Sequence, residues 1–322
     1  MYRKQFLTRS VTFAASIPFL PLTTFPAWKI LNAPKLNKVE FNIGKIKCTV
    51  FRDYDFQYQA KDFFVNANEE ELYNALNSYH VSADNIPSPF IAVLLQINQR
   101  KILIDTGVGF ADKAVNVRGT SVLFKGQLSK LLAENNINKH EITDVIITHF
   151  HPDHIGGIYT GTNFNFPNAR FHMHEDEWKY WHSSRSDAQP AQFKTYIQNN
   201  ITKLKDGNLN LIKGDFVNIS DGITIVKCDG HTPGQISVII HSRNENLLYI
   251  SDSFLHPLHV ERIDWQTNYD LDHQLAKASR IKLFDLASKE DMLVNAFHFE
   301  FPGIGRIEKS KDKWKWREVN SL

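Results

Sequence analysis

The segment "ITHFHPDHIGG", residues 147–157, places three histidines and an aspartate within six positions and follows them with two glycines. An apolar core has no use for so much imidazole, because every buried neutral ring must find hydrogen-bond partners for two nitrogens. A metal has. His149 and His151 stand two apart at the end of the short apolar run "DVIITHF" (144–150). If that run is a strand, both rings leave the same side of the chain. Pro152 suits the first turn of a following helix, which would bring Asp153 and His154 round to the same place. Gly156 and Gly157 would let another stretch of backbone pass close by. A catalytic zinc takes three protein ligands and keeps one position open, so four candidate ligands in one turn point to a second ion and to further ligands elsewhere.

Other stretches place this motif in a fold. "FNIGKIKCTVF" (41–51) alternates as a strand does, and "IAVLLQI" (91–97) and "KILIDTG" (101–107) flank a turn as a hairpin does. Leu128, Leu131 and Leu132 carry a helix before residue 144. "ITIVKCDG" (223–230), "ISVIIHS" (236–242) and "NLLYISDS" (246–253) are strands whose exits carry polar side chains, and a helix is expected over Asp272 to Ser288. Strands, helix, strands and helix in that order predict an α/β chain, two sheets sandwiched between helical layers. Beyond residue 38 no repeat, low-complexity tract or long linker interrupts the pattern, so residues 38–322 are expected to form one catalytic domain.

Composition narrows the partners. A net charge of +2 provides no broad basic surface for a nucleic-acid backbone. "EKSKDKWKWREV" (308–319) interleaves lysines with Trp314 and Trp316, and the expectation is an antiparallel strand with one solvated charged face. Cys48 and Cys228 are too far apart for a zinc knuckle and are expected to be buried thiols. His172, His174, His182, His241, His256 and His259 receive no role, and "RFHMHEDEW" is expected to be an edge strand running into a helix. At the start of the chain, Arg3, Lys4 and Arg9 precede an uncharged run from Val11 to Ala27 that is broken by three prolines. That pattern fits an export signal over residues 1–27 and no stable membrane span, with an uncleaved tail as the alternative. An exported protein, periplasmic or secreted, is expected.

The signature H-x-H-x-D-H, complete here in His149, His151, Asp153 and His154, resembles that of the metallo-β-lactamase superfamily, over roughly residues 40–318. The resemblance implies an αββα sandwich of two mixed sheets flanked by helices and supplies the remaining ligands. "DGHTPGQ" gives His231, "SDS" gives Asp252 and "NAFHFEFPGIG" gives His298. It assigns His149, His151 and His231 to one metal, Asp153, His154 and His298 to the other, and Asp252 to both. Two divalent ions, with zinc as the expected metal, are implied, and Asp105 in "ILIDTG" is implied to support the ligands from behind.

The chain is similar to two branches of that superfamily, the N-acyl-homoserine lactonases and the methyl-parathion-type hydrolases, on "THFHPDHIGG", "FPNAR" and "FPGIGRI". It is therefore expected to open lactone rings, with Asp153 delivering a proton to the departing oxygen and phosphotriester hydrolysis as the alternative. A mono-iron persulfide dioxygenase would share the motif but usually lacks a complete second ligand set. Aromatic residues in 51–64, 110–124, 175–184 and 297–305 are expected to overhang the site and receive a small neutral substrate with an apolar acyl tail. Tyr159, Tyr180, Tyr196 and Tyr269 are the candidates for a tyrosine that assists at the carbonyl. Export predicts that residues before about Ala27 are missing from the mature protein. N-terminal sequencing of material from the native host checks this, and an intact Met1 in a cytoplasmic fraction refutes it.

Overall fold

Strict alternation along several strands forces the architecture. Val93 and Leu95 are buried in one cluster with Ile104, Ile225, Val238 and Leu247, while Leu94, between them, is buried in another with Leu103, Leu131, Leu132 and Phe171. Across the molecule Ile225 and Leu247 join the first cluster, and their neighbours Val226 and Leu248 join a third, with Leu283 and Phe284. Because successive strand residues face opposite ways, each sheet must have one face against the other sheet and one against helices. The chain is an αββα sandwich.

The computed structural model describes residues 36–117, 120–204, 206–311 and 313–319. The expected export signal, residues 1–27, lies outside them. Each large sheet has seven strands that lie side by side in the order in which they occur in the chain. The first runs Lys38–Ile43, Ile46–Tyr58, Ile86–Ile97, Arg100–Ile104, Asp144–Ile146, Arg170–His174 and Leu209–Ile212. Its first four strands pair antiparallel and its last four parallel. Helices Leu128–Glu134, Glu175–Trp181 and Ala191–Asn200 lie on the parallel crossovers. The second sheet runs Phe216–Ser220, Ile223–Lys227, Ile236–Ser242, Glu245–Tyr249, Leu293–Asn295, Ile304–Ser310 and Lys313–Glu318. Its one parallel step, from Glu245–Tyr249 to Leu293–Asn295, is spanned by the helix His273–Lys289, which Asp272 caps by accepting from the Gln274 and Leu275 N–H groups. Among the described residues no helix is long and apolar enough to cross a membrane.

Three expectations need correction. Residues 41–51 are not one strand but most of a hairpin, turned at Gly44, whose φ of +57° is easiest for glycine. Arg170–His174 is not an edge strand, because the short strand Leu209–Ile212 covers it. Four residues with one buried side chain carry too little alternation to announce a strand. The strand expected over 144–150 ends at Ile146, and residues 147–151 continue as a loop. The basic terminal strand does pair antiparallel with Ile304–Ser310. Trp314 packs on Phe284 and Trp316 on Phe299, so the rings turn inward while Lys313, Lys315 and Arg317 face solvent.

The paired glycines are explained by backbone contact. A Cβ on Gly156 would lie 2.0 Å from the Val108 carbonyl oxygen, and one on Gly157 2.0 Å from that of Thr106. The loop after Ile104 therefore presses directly on the turn that carries Asp153 and His154. Gly157→Ala should destabilise the protein by about 2 kcal/mol or more, since a backbone clash has no side chain to yield. Denaturant unfolding measures this, and an unchanged midpoint would contradict the close approach.

Candidate metal centre

All seven expected ligand side chains meet at one end of the sandwich, where strands of both sheets finish. From the first sheet, Asp144–Ile146 runs into His149 and His151, whose rings lie 4.6 Å apart, while Phe150 between them is buried under the helices. Pro152 opens the short helix Pro152–Ile155, which carries Asp153 and His154. From the second sheet, His231 follows Ile223–Lys227, Asp252 follows Glu245–Tyr249 and His298 follows Leu293–Asn295. Gly230, at φ +128°, turns the His231 loop against the helix His273–Lys289, so closely that a Cβ would meet the Ala276 nitrogen at 2.1 Å.

Two clusters result. His149, His151, His231 and Asp252 bring ligand atoms within 4.8 Å of one another, and Asp153, His154, His298 and Asp252 do the same. Asp252 stands between them: its Oδ2 is 3.0 Å from His298 Nε2, 3.5 Å from His231 Nε2 and 3.9 Å from His149 Nε2, and its Oδ1 is 3.3 Å from His154 Nε2. Asp153 Oδ2 is 3.6 Å from His298 Nε2 and 3.7 Å from His154 Nε2.

Burial and the neighbouring imidazoles hold His149 and His151 well below the usual histidine range, leaving neutral rings with lone pairs to offer. His154 is driven the other way. Burial favours its neutral form, but the surrounding carboxylates Asp252, Asp105 and Asp153 outweigh it. Burial likewise opposes ionisation of Asp252, yet His298 and His154 hold its carboxyl well below the ordinary value. Burial raises Asp153. His149 Nε2, His154 Nε2 and Asp252 Oδ1 are buried without a hydrogen-bond partner. Three such atoms aimed at one small region would each cost about 1–3 kcal/mol in a closed apolar site, and cations would satisfy them all. The donor set fits two divalent ions.

Behind these side chains lies a second set of bonds. Asp105 sits behind His154, its Oδ2 2.8 Å from Nδ1. It has φ +57° and also accepts from the Thr148 N–H and the Tyr249 hydroxyl. Three supports are absent from the sequence reading. Asp270 Oδ1 is 3.2 Å from His231 Nδ1, and its Oδ2 accepts from Arg280 Nη2 at 2.5 Å. Arg280 is fully buried and also donates to the Ser253 carbonyl. Ser88 Oγ lies 3.0 Å from His298 Nδ1. Asp270 and Ser88 bond the ring nitrogens turned away from the cluster, which selects the tautomer, and Arg280 holds Asp270 in place. Arg280 did leave a trace in the sequence: it sits on the helix face of Ala276, Leu283 and Phe284, where an unpaired charge would be untenable.

The remaining histidines have local tasks. His172 bonds Asp144, His174 and His256 cap helices, and His259 bonds the Phe63 carbonyl. Cys48 and Cys228 are buried free thiols, and burial pushes Cys48 to about 12.

A cavity of about 440 Å³ opens onto both clusters. Phe56, Tyr58, Phe63 and Phe124 supply its wall from segments 51–64 and 110–124, as expected. The expected segments 175–184 and 297–305 contribute nothing to the lining. Trp181 packs behind His151 and Phe297 stacks on His154, so both support ligands and leave the wall to Phe193 and Tyr196 of the next helix. Of the four candidate tyrosines, Tyr196 and Tyr269 line the cavity. Tyr159 and Tyr180 do not, and Tyr58, from the expected segment 51–64, lines it as well.

A sandwich with two histidine–carboxylate clusters at its strand exits defines a metal-dependent hydrolase. The chain belongs to the metallo-beta-lactamase superfamily, whose family model matches residues 92–294. Among solved structures, AidC, a dizinc quorum-quenching lactonase in complex with a product N-hexnoyl-L-homoserine, is similar at TM-score 0.75 and 23% identity, over 89% of this chain and 98% of that one. The hydrolase AbOPH of the beta lactamase superfamily is similar at TM-score 0.78 and 22% identity, over 90% of this chain and 100% of that one. A quorum-quenching N-acyl homoserine lactone lactonase is similar at TM-score 0.60 and 18% identity, over 83% of this chain and 100% of that one. No curated protein matches the sequence at a significant level.

Proposed function

We propose that the protein is a dinuclear-metal hydrolase that opens the ring of N-acyl-homoserine lactones or closely related lactones. The observation that carries this reading is the cavity, an aromatic, apolar chamber that ends on both clusters and, among the described residues, is lined by no lysine or arginine. Beyond the metal ions, an anionic group such as a phosphodiester or a β-lactam carboxylate would find no cationic side chain there to hold it, whereas a neutral lactone with an apolar tail needs none. The likeness to AidC, which holds a hydrolysed acyl-homoserine, supports the reading through the fold alone.

In this reading His149, His151, His231 and Asp252 would hold one ion, and Asp153, His154, His298 and Asp252 the other. Two such ions, zinc being the expected metal, would lower the pKa of water and polarise a carbonyl oxygen. The completeness of the second cluster disfavours a mono-iron dioxygenase, and metal analysis finding iron would overturn that judgement. The chain's own contribution to the proton balance falls to Asp153, which borders both the second cluster and the cavity. From that position it is suited to take up a proton and release it at the alkoxide oxygen when the ring opens. The Phe56, Phe124 and Phe193 rings exclude water from an acyl tail, and Asp105 and Asp270 keep the histidine rings from turning.

Zinc-loaded protein should hydrolyse acyl-homoserine lactones in preference to a β-lactam or an aryl phosphodiester. Each added tail methylene should contribute about 0.8 kcal/mol, roughly fourfold in kcat/KM, until the chamber is full. A flat response to chain length would exclude a tail-binding chamber, and a larger kcat/KM for an aryl phosphotriester would favour the neutral phosphotriester instead.

Asp153→Asn should lower lactone turnover by about 100-fold, within the usual range for general acid catalysis, and aryl phosphotriester turnover distinctly less, because a phenolate leaves without a proton. The comparison is made at metal content restored with excess zinc. Equal losses on both substrates would remove the proton-delivery role.

A further inference from the structure

Glu177, in the helix Glu175–Trp181, is 1% exposed, and among the described residues no lysine or arginine pairs with it. Its carboxylate accepts from three N–H donors, and the Thr232 hydroxyl next to His231 also stabilises its charge. Oε1 accepts from the Phe150 backbone at 2.9 Å and from the Trp181 indole at 2.7 Å, and Oε2 accepts from the Gly234 backbone at 3.0 Å. Phe150 lies between His149 and His151. Gly234 lies three residues beyond His231. The first loop leaves one sheet and the second belongs to the other, so one carboxylate spans the two halves of a ligand cluster.

The contact is close as well as polar. A Cβ on Gly234 would sit 2.0 Å from the Glu177 nitrogen, so the His231 loop has no room to slide along the helix. Trp181, anchored on the same oxygen, leans edge-on against His151 with ring centroids 6.1 Å apart. Burial pushes the Glu177 carboxyl above its ordinary value, an expense that glutamine would avoid. Glutamine, however, would point its NH₂ at one of the donors, since only a carboxylate accepts on both atoms.

We propose that Glu177 is a positioning residue that ties the His149–His151 turn to the His231 loop and thereby sets the metal affinity of that cluster and not of the other. It touches none of the ligand side chains. The proposal rests on the ligand assignment given above, and its test keeps the two separable.

Zinc affinity is measured by chelator competition on the full chain in two backgrounds. His298→Ala cripples the cluster with Asp153 and His154. His231→Ala cripples the cluster with His149 and His151. Adding Glu177→Gln should weaken zinc binding by about tenfold or more in the first background, in line with other outer hydrogen bonds to metal ligands, and by less than about twofold in the second. Trp181→Phe, which keeps both loop bonds, should leave the affinity in the first background within about threefold. A merely structural glutamate would weaken both backgrounds alike, in step with the loss of thermal stability, and that result overturns the proposal, as does no loss in either. Failure of Glu177→Gln to fold, judged by near-ultraviolet circular dichroism, would make the residue a folding requirement and overturn it too. If the His298→Ala protein binds no zinc with Glu177 intact, the ligand assignment falls and the clasp with it. If it binds zinc and Glu177→Gln changes nothing, the clasp alone falls.

Discussion

Four imidazoles converge on one carboxylate, that of Asp252, in a region from which water is largely excluded. Left to themselves these groups would be a liability: buried nitrogens without partners, a buried carboxylate and a second one, Asp153, beside it. Cations would turn the same crowding into binding energy, because each ion would satisfy lone pairs that the protein cannot pair internally. The sandwich is arranged to hold that crowd together. Its two sheets end at a common edge, the ligands leave from both, and the interior between the sheets, built on residues such as Val93, Ile225 and Leu247, keeps the two edges in register.

Interior packing alone would leave the rings free to rotate, and the bonds behind them remove that freedom. Asp105 fixes His154 and is itself held by Thr148 and Tyr249, one from each sheet. Asp270 fixes His231 and is held by Arg280, whose other bonds reach the Ser253 carbonyl beside Asp252. Arg280 therefore links the backing of one ligand to the backbone next to another. A buried arginine is costly unless its charge and its donors are met, and here Asp270 meets the charge while main-chain oxygens take the remaining donors. Ser88 holds His298 from the long strand Ile86–Ile97, so both sheets and the helix His273–Lys289 contribute restraints around the site.

The cavity has a different origin. Its wall comes from elements that differ in kind: the far end of the strand Ile46–Tyr58, the segment before the helix Leu128–Glu134, and the helix Ala191–Asn200. Such segments can be exchanged without disturbing the clusters beneath, which is how one metal-binding frame serves many substrates. In this chain they present mostly phenylalanine, tyrosine and valine with a few uncharged amides such as Asn116 and Gln192, and the ionisable groups of the histidine–carboxylate clusters lie at the floor.

How much of this the sequence determined follows from distance along the chain. His149, His151, Asp153 and His154 were legible because strand and helix geometry fixes the relative directions of side chains two to five residues apart. The strands at 91–97 and 223–230 were legible as short apolar runs, and the order strands, helix, strands, helix predicted a two-sheet sandwich before any contact was known. His231, Asp252 and His298 were reached only through a family resemblance, since nothing local marks a lone histidine as a ligand. Asp270 and Glu177 escaped altogether, and Arg280 left only its place on an apolar helix face. Their partners lie on other strands, and whether Glu177 meets Gly234 is decided by how a helix of one layer packs against a loop of the opposite sheet. The same holds for Phe193, which lines the cavity where Trp181 was expected. Local rules set which way a side chain leaves its own element, and only tertiary packing sets what it finds there.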